Sequence, residues 1–491
     1  MRLISLLDLI KLVHNSALSE KYINYLCGFD GSHEYRHSEI ESIFSLCKVC
    51  GFDNEELYSG FIFGYTIPQL NKEFDLLKIT ESKCINIELK SKEISEDKIK
   101  KQLLLNKHYL RLLKKELQLI TFVKATNAFY ILNDDETLSC FEPSEVLSLL
   151  KTVKHDGLQI DLNDVFSPKN VLVSPLNSPE RFIENDYILT DHQQIIEKQI
   201  LDTFNSKTED VFFGLTGGPG TGKTLLLYDV AKQLTVNKKV LIIHCGYLCD
   251  GHSFLQNCIT NLFVISVKAL RMREIKNVDV VLVDESHRIY PGHLEKVERW
   301  VKKSKAKCLF SFDESQRLSH YEYKINSLET IQNLCGTNIQ KLTNKIRTNK
   351  EIATFISKMR NLSKHKDCVC FPNVRILFEP NKAKAVQIAK NLERNGYTFI
   401  SYTTSSYYQG LDYQETDRNT HDVIGQEFDK VVMTLPDYFY YDGNILKAKD
   451  HPNPNYMLEQ LLYQGLTRAR TSIALIVGTE ENLYKLLSMF E

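Results

Sequence analysis

Short runs of bulky and β-branched residues recur along the chain and predict β-strands. In the first part of the sequence, three such runs occupy 61–68, 72–80 and 84–90, and polar residues separate them. Helical patterns flank these runs, at 37–49 on one side and at 95–119 on the other. The predicted order is therefore helix, three strands, helix.

In the rest of the chain, short apolar runs end in glycine or in acidic and amide side chains, and helical patterns separate them. These runs lie at 211–216, 239–245, 278–284, 308–312, 430–432 and 473–477. Strands that alternate with helices in this way predict an α/β fold.

The length of 491 residues exceeds what one hydrophobic core supports, so several domains are expected. A stretch at 166–187 is rich in Ser, Pro and Asn and predicts a linker. Residues 126–165 continue the first pattern with strands and a helix. We therefore predict an N-terminal domain at 1–165, followed by two α/β domains at 188–338 and 339–491.

Composition narrows the class of protein. Hydrophobic residues make up 43% and charged residues 25% of the chain, as in soluble globular proteins. The net charge of −1 means that a nucleic acid would be held by local basic patches. The 12 cysteines follow no repeated spacing, which favours reduced thiols. Since no apolar run is long enough to span a membrane, we expect a cytoplasmic protein without a membrane partner.

A glycine-rich turn joins the run at 211–216 to a helix and matches the pattern G-x-x-x-x-G-K-[ST]. Glycines let backbone N–H groups converge on a phosphate, and the helix directs its positive end there. Lys223 would reach the β- and γ-phosphates, and the Thr224 hydroxyl would bind Mg²⁺. The predicted ATP-binding residues of this turn are Gly217, Gly218, Pro219, Gly220, Thr221, Gly222, Lys223 and Thr224.

An acidic pair, Asp284 and Glu285, lies at the end of the apolar run at 278–284. Open α/β sheets bind ligands at this end of their strands. Asp284 would hold Mg²⁺, directly or through water, and Glu285 would position the attacking water. Gln316 follows a later strand and is a candidate sensor of the γ-phosphate. Gln193 precedes the glycine turn and is a candidate adenine contact, because an amide both donates and accepts.

The third predicted strand of the N-terminal domain carries Glu88 and Lys90, two residues apart, so both side chains face the same way. Asp75, on the preceding strand, can join them at one end of the sheet. Two carboxylates suit a hard divalent ion, and a lysine beside it can orient or deprotonate a water. The alternative is an ordinary polar strand face.

With their order along the chain, these residues resemble the PD-(D/E)XK nuclease superfamily over 30–125. The resemblance implies a restriction-endonuclease-like α/β fold. It makes Asp75 and Glu88 metal ligands, for Mg²⁺ or Mn²⁺, and Lys90 the catalytic lysine.

Two helical positions complete this resemblance. The helical glutamate of the family corresponds to Glu39 or Glu41; we take Glu39 and leave the choice open. Gln102 resembles the glutamine of the RecB-like and NERD-like branches, and both positions are candidate catalytic residues.

Later motifs follow the order of superfamily 1 helicases, which the chain resembles over 188–491. The resemblance implies two RecA-like P-loop domains with parallel sheets, and an enzyme that hydrolyses ATP and moves along nucleic acid. The glutamine motif corresponds to Gln193, and motif I is the glycine-rich turn. Motif II is the pair Asp284 and Glu285, and motif III contains Gln316. Motif IV at Arg347 and motif VI at Arg468 carry arginines that, in this family, reach the γ-phosphate from the second domain. Motif V includes Gly425 and Glu427, which we assign to nucleotide binding.

Two positions depart from this family. Gln426 stands where a lysine is common in motif V. His244 begins a segment that lacks the Thr/Pro/Ser pattern of motif Ia. The two α/β domains also leave no room for the large insertions that processive helicases use to separate duplexes.

The whole architecture resembles bacterial nuclease–helicase proteins of phage defence and is similar to the helicase-like domain of the Schlafen-type family. This implies an ATP-dependent translocase or helicase coupled to a metal-dependent nuclease. The expected partner is single-stranded or duplex DNA, while RNA, an oligomer and a partner protein stay open. Two alternatives are an ATP-gated switch whose N-terminal domain binds without cutting, and a DNA repair translocase.

Overall fold

A computed structural model describes most of the chain and divides it into two compact units, Met1–Val171 and Leu172–Glu491. The described residues are 2–11, 19–28, 37–67, 72–153, 160–167, 173–206, 211–270, 278–314, 316, 327–343, 350–364, 370–403, 418–449 and 456–490. None of the helices in these ranges is long and apolar enough to cross a membrane.

The first unit contains a six-stranded sheet whose strands lie in sequence order. The strands are β1 (Phe61–Ile67), β2 (Lys72–Ile79), β3 (Lys83–Lys90), β4 (Glu116–Val123), β5 (Ala128–Leu132) and β6 (Leu138–Phe141). Neighbours pair antiparallel, except that β3 and β4 are parallel. Parallel neighbours need a crossover connection, and a helix supplies it here.

The helices of this unit pack on the sheet. They are α1 (Leu6–Ile10), α2 (Ser19–Cys27), α3 (His37–Cys50), α4 (Glu55–Tyr58), α5 (Glu96–Leu110), α6 (Pro143–Thr152) and α7 (Leu162–Val165). Ile85 and Ile87 of β3 join the core formed with α3 and α6. Because side chains alternate along a strand, Asn86 and Glu88 point to the opposite face, where residues of α5 meet them.

One predicted element is partly wrong. The helix expected over 95–119 is α5, which ends at Leu110. A 3₁₀ turn follows, and Lys114 adopts a left-handed backbone with φ of 53°, which stops the helix. The chain then enters β4, whose second half is fully buried.

The second unit begins with a six-stranded sheet in which every pair of neighbours is parallel. Its order is β12-β7-β11-β10-β8-β9. The strands are β7 (Phe212–Gly217), β8 (Val240–His244), β9 (Leu262–Ser266), β10 (Val280–Asp284), β11 (Lys307–Phe312) and β12 (Ile339–Leu342). The carboxyl ends of these strands therefore share one edge of the sheet.

A second parallel sheet follows, of order β13-β18-β15-β14. Its strands are β13 (Val374–Phe378), β14 (Thr398–Phe399), β15 (Phe428–Leu435) and β18 (Ala469–Val477), and a hairpin of β16 (Phe439–Asp442) and β17 (Ile445–Ala448) stands beside it. Two parallel sheets agree with the α/β fold predicted for this part of the chain.

Helices connect the strands of both sheets. They are α8 (Pro179–Ile183), α9 (Asp191–Asn205), α10 (Lys223–Leu234), α11 (Asp250–Cys258), α12 (Pro291–Ser304), α13 (Ser327–Cys335), α14 (Lys350–Arg360), α15 (Lys382–Glu393), α16 (Leu458–Leu466) and α17 (Glu480–Leu487).

Two predicted boundaries differ from the structure. The division at 338/339 falls before β12, but β12 pairs with β7, so the first α/β domain extends to Leu342. The predicted linker at 166–187 is in part a packed segment. Leu176, Phe182 and Tyr187 lie in the core of the second unit, against the first of its two parallel sheets. The many polar, loop-forming residues of this segment predict a linker, although a few of its apolar side chains are buried.

We expect Gly251→Ala to destabilise the second unit, because a Cβ there would clash with the backbone of Leu176. Such overpacking costs about 1–3 kcal/mol, so the thermal denaturation midpoint of the full chain should fall. Gly292→Ala, also at the start of a helix, is the control, since nothing lies within 4 Å of its Cβ position. Equal midpoints for the two variants would show that the Leu176 segment is not packed on α11.

Candidate nucleotide and metal sites

The glycine-rich turn lies between β7 and α10, as its sequence predicts. Gly220 and Gly222 have positive φ of 74° and 85°, a conformation that costs glycine little. A Cβ at Gly217 would lie 2.7 Å from the Thr221 hydroxyl oxygen and 2.9 Å from the Leu342 carbonyl oxygen. The close approach of the turn to β12 therefore requires glycine there.

Lys223 is buried at the first position of α10. Its Nζ donates to the carbonyl oxygens of Gly217 at 2.7 Å and Gly218 at 3.0 Å. It also forms an ion pair of 3.2 Å with Asp313, which directly follows β11. A buried ammonium is costly unless paired, and these acceptors fix it beside the turn. Sequence reasoning missed Asp313, although it lies in the same polar strand end as Gln316.

Thr224 is buried next to Lys223 at the start of the same helix. Gln193 lies near the start of α9 and has two internal partners. Its Oε1 accepts from the Thr190 backbone N–H at 2.9 Å, and its Nε2 donates to the Thr221 carbonyl at 3.0 Å. Gln193 thus ties α9 to the glycine turn, and its contact with adenine stays a prediction.

Asp284 is the last residue of β10 and is 1% exposed. Its register partner on β8 is His244, whose Nδ1 lies 3.3 Å from Asp284 Oδ2. Burial raises the pKa of this carboxyl, but the hydrogen bond and the charge of His244 outweigh burial and hold the pKa below its ordinary value. Within the described ranges, Asp284 Oδ1 has no hydrogen-bond partner, which fits an oxygen that receives a cation or its water.

Glu285 follows in a left-handed backbone conformation, with φ of 53°. For a residue with a side chain, this costs roughly 1–2 kcal/mol. Its Oε2 lies 3.5 Å from Nε2 of His287, which is buried. Glu285 therefore lies directly after β10, at the same sheet edge as Asp284.

Arg468 and Gln316 come from the two different sheets and meet. Arg468 Nη2 donates to Gln316 Oε1 at 3.3 Å. Its Nη1 and Nε donate to the carbonyls of Gln426 and Gln464, each at 3.3 Å. The structure therefore brings together the side chains predicted for motifs III and VI. Arg347 lies outside the described residues.

The turn predicted as motif V approaches the first sheet. Gly425 has φ of 77°, and a Cβ there would lie 3.3 Å from Cε1 of His244. The backbone N–H of Glu427 donates to Oδ1 of Asn177 at 2.8 Å. Its carboxylate lies 3.4 Å from Nε of Arg470. Glu427 is thus engaged within the protein.

In the first unit, Asp75, Glu88, Lys90 and Gln102 form one cluster. Asp75 Oδ2 accepts from the Leu89 backbone N–H at 2.7 Å. Glu88 is 1% exposed, accepts a hydrogen bond from Gln102, and lies 3.7 Å from Nζ of Lys90. The predicted grouping of these residues is therefore present.

Two asparagines that sequence reasoning missed complete the cluster. Asn106 donates to Glu88 Oε1 at 2.8 Å and to Asn86 Oδ1 at 2.6 Å. Asn86 donates to the same Glu88 oxygen at 3.4 Å. Both asparagines are fully buried. Their spacing in the sequence could have predicted this. Asn86 shares a strand face with Glu88, and Asn106 lies one helical turn after Gln102.

Electrostatics distinguish the two helical glutamates. Burial and the adjacent Glu88 carboxylate raise the pKa of Asp75 to about 8, and Glu39 acts in the same direction. Glu41 instead forms an ion pair of 2.7 Å with Lys124. Glu39 is therefore the glutamate near the cluster. In the part of the chain that the structure describes, no three His, Cys, Asp or Glu side chains form a metal-binding group.

The glycine turn, its buried lysine and an acidic strand end on a parallel sheet are the features of a P-loop nucleoside triphosphatase. Residues 210–430 match the family described as Schlafen group 3, DNA/RNA helicase domain. This match covers less than half of the 491 residues and supports a helicase-type domain there. No curated protein matches the chain.

Solved structures give weaker similarities. The Pif1 helicase of a Bacteroides species in complex with ADP-AlF4 has 13% identity and a TM-score of 0.35, over 61% of this chain and 96% of its own. The Pif1 helicase from Candida albicans has 12% identity and a TM-score of 0.35, over 61% and 99%. TM-scores this low do not establish a shared fold.

We expect Asn106→Ala to loosen strand β3, because it leaves a buried oxygen of Glu88 with a weaker donor. It also removes the donor to the buried Asn86 Oδ1, and leaving a buried acceptor unsatisfied costs roughly 1–3 kcal/mol. Amide hydrogen exchange of Lys83–Lys90 in the full chain measures this cost as faster exchange. The same change in a Glu88→Ala background should have a smaller effect. Equal effects in both backgrounds would mean that Glu88 is not the partner that matters.

Proposed function

We propose that the chain is an ATP-driven, superfamily 1-type motor acting on nucleic acid, coupled to a metal-dependent nuclease in its N-terminal unit. The contact of Arg468 with Gln316 carries the motor half. It joins the second sheet to the segment after β11, whose Asp313 pairs with Lys223 of the P-loop. The match of residues 210–430 to a DNA/RNA helicase domain supports it.

In this proposal, ATP binds at the glycine turn, where backbone N–H groups and Lys223 receive its phosphates. Thr224 and Asp284 would hold Mg²⁺, which neutralises phosphate charge. Glu285 positions the attacking water, and Gln316 senses the terminal phosphate. Arg468, just before β18, provides a cation, and Arg347 is proposed as a second one.

The nucleotide response would also involve motif V, through the turn at Gly425 and the carboxylate of Glu427. Since both contact the first sheet or its neighbouring segment, a movement between the sheets would change their environment. Hydrolysis would thereby drive motion along a nucleic acid strand, with DNA as the expected partner.

The nuclease half is supported by the cluster on β2, β3 and α5, in which Glu88 is buried. Asp75 and Glu88 would bind Mg²⁺ or Mn²⁺, which activates water and stabilises charge on the phosphodiester. Lys90 orients or deprotonates that water, and Gln102 holds the Glu88 carboxylate. Glu39 adds negative charge beside Asp75. Together with the motor, such an activity suits defence against phage DNA.

A second candidate function is an ATP-gated switch whose N-terminal domain binds nucleic acid without cutting it. The burial of Glu88 and its three amide donors favour this candidate, because a metal must displace part of this network. Cleavage assays distinguish the two functions.

We expect Glu285→Gln to lower ATP hydrolysis by roughly 100-fold or more, since it removes the group that positions water. ATP binding should be retained, whereas Lys223→Ala should weaken it. Hydrolysis by the full chain is measured with and without single-stranded DNA, duplex DNA and RNA. The control is Glu295→Gln, an exposed glutamate on α12. Unchanged hydrolysis in Glu285→Gln would refute its assignment, and an ATPase indifferent to every nucleic acid would refute the motor.

We expect the wild-type chain to cut circular single-stranded or duplex DNA with Mg²⁺ or Mn²⁺, and Glu88→Ala and Lys90→Ala to lose this activity. Loss follows because each removes a group that binds the metal or orients water. Glu93→Ala, an exposed glutamate just beyond β3, should cut normally. If the wild type hydrolyses ATP but cuts no DNA with either metal, the switch replaces the nuclease.

A further inference from the structure

A cavity of about 370 Å³ opens beside the glycine turn. Pro219 of the turn forms one wall, and residues of α14, α16 and the β16–β17 hairpin form the others. Its volume lies in the range of small-molecule sites. Thr467, the neighbour of Arg468, also lines it, so the cavity connects the turn to the second sheet's arginine motif.

The charged groups of the cavity are Arg360, Lys364 and Glu459. Glu459 Oε1 accepts from the Ala448 backbone N–H at 2.7 Å. Lys364 is exposed, and its Nζ donates to the Ser357 hydroxyl at 3.2 Å. Arg360, the last residue of α14, is half-buried. Of the two cations in the cavity wall, Arg360 is therefore the less exposed to water.

The Arg360 guanidinium lies over the ring of Tyr463, with Cζ 4.4 Å from the ring centroid. No hydrogen-bond acceptor or carboxylate among the described residues pairs with it. A ring beneath a guanidinium restricts its movement without using its N–H groups. The planar guanidinium is a fork that can bind two oxygens of a phosphate at once.

The N–H groups of Arg468, in contrast, already have acceptors. Its Nε, Nη1 and Nη2 all donate to acceptors within the protein. Binding a phosphate would require Arg468 to give up at least one of these bonds. Arg360 would give up none, because its present contact is with the face of a ring.

We propose that Arg360 binds the terminal phosphate of a nucleoside triphosphate held at the glycine turn, and that Tyr463 positions its guanidinium. The proposal rests on ATP binding at the turn, as proposed above, and assigns to the second sheet a phosphate contact outside its two predicted arginine motifs. It follows that the cavity distinguishes a triphosphate from a diphosphate.

The test compares the affinities of fluorescent ATP and ADP analogues for the full chain, by titration. Arg360→Ala should weaken ATP binding about tenfold, the size expected for a charge-assisted hydrogen bond, and change ADP binding less than twofold. Arg360→Lys, which keeps the charge but loses the fork, should be intermediate. Arg394→Ala, an exposed arginine in the same part of the chain, should bind both nucleotides normally.

Tyr463 supplies a matched pair of variants. Tyr463→Phe keeps the ring beneath Arg360 and should keep the preference for ATP over ADP. Tyr463→Leu removes the ring and should lower that preference, as Arg360→Ala does. Thermal denaturation midpoints close to that of the wild type ensure that each variant is folded.

The outcomes separate this proposal from the one on which it rests. A wild-type chain that binds neither nucleotide overturns ATP binding at the turn, and Arg360 with it. If the wild type binds ATP but Arg360→Ala and Arg360→Lys leave the preference unchanged, only the Arg360 assignment is wrong. Equal weakening of ATP and ADP would also overturn it, because Arg360 would then contact a group that both nucleotides share.

Discussion

The buried ammonium of Lys223 is the constraint around which the first parallel sheet is arranged. A charge in this position is stable only with close acceptors, and they come from two strands. Two carbonyls of the turn after β7 and the carboxylate of Asp313 after β11 supply them. Since β7 and β11 pair in parallel register, their carboxyl ends coincide and the acceptors converge. The gathering of these polar groups at one edge of the sheet is a consequence of this register.

Strands with continuous apolar runs were predictable, whereas strands that depend on distant partners were not. The apolar run before Asp284 predicts β10 without any information on its partners. By contrast, β12 has only two apolar residues, and its identity comes from pairing with β7. β9 (Leu262–Ser266) is not among the predicted strands, because it lies at the sheet edge and one of its faces is partly exposed. β4 was hidden because its first residues prolong the helical pattern of α5.

The candidate sites show the same limit. Residues fixed by a local motif, such as Lys223 and Asp284, could be assigned because their chemistry depends on neighbours in the chain. Asp313, His244 and Asn106 could not, because each acts on a residue that only the fold brings near. The Glu88 network illustrates this, since its donors come from one strand and one helix. Sequence therefore predicts where the carboxylates of a motif lie better than which groups hold them.

The bonds between the two parallel sheets limit what a nucleotide can do. Arg468 and Gln316 are partners across the sheets, and the Gly425 turn rests against His244, which itself bonds Asp284. A ligand shifts a conformational equilibrium only by its difference in affinity for the two states. A nucleotide at the glycine turn would thus move the sheets relative to one another by offering Arg468 or Gln316 a better partner than each now has in the other, or by a new contact such as the one proposed for Arg360.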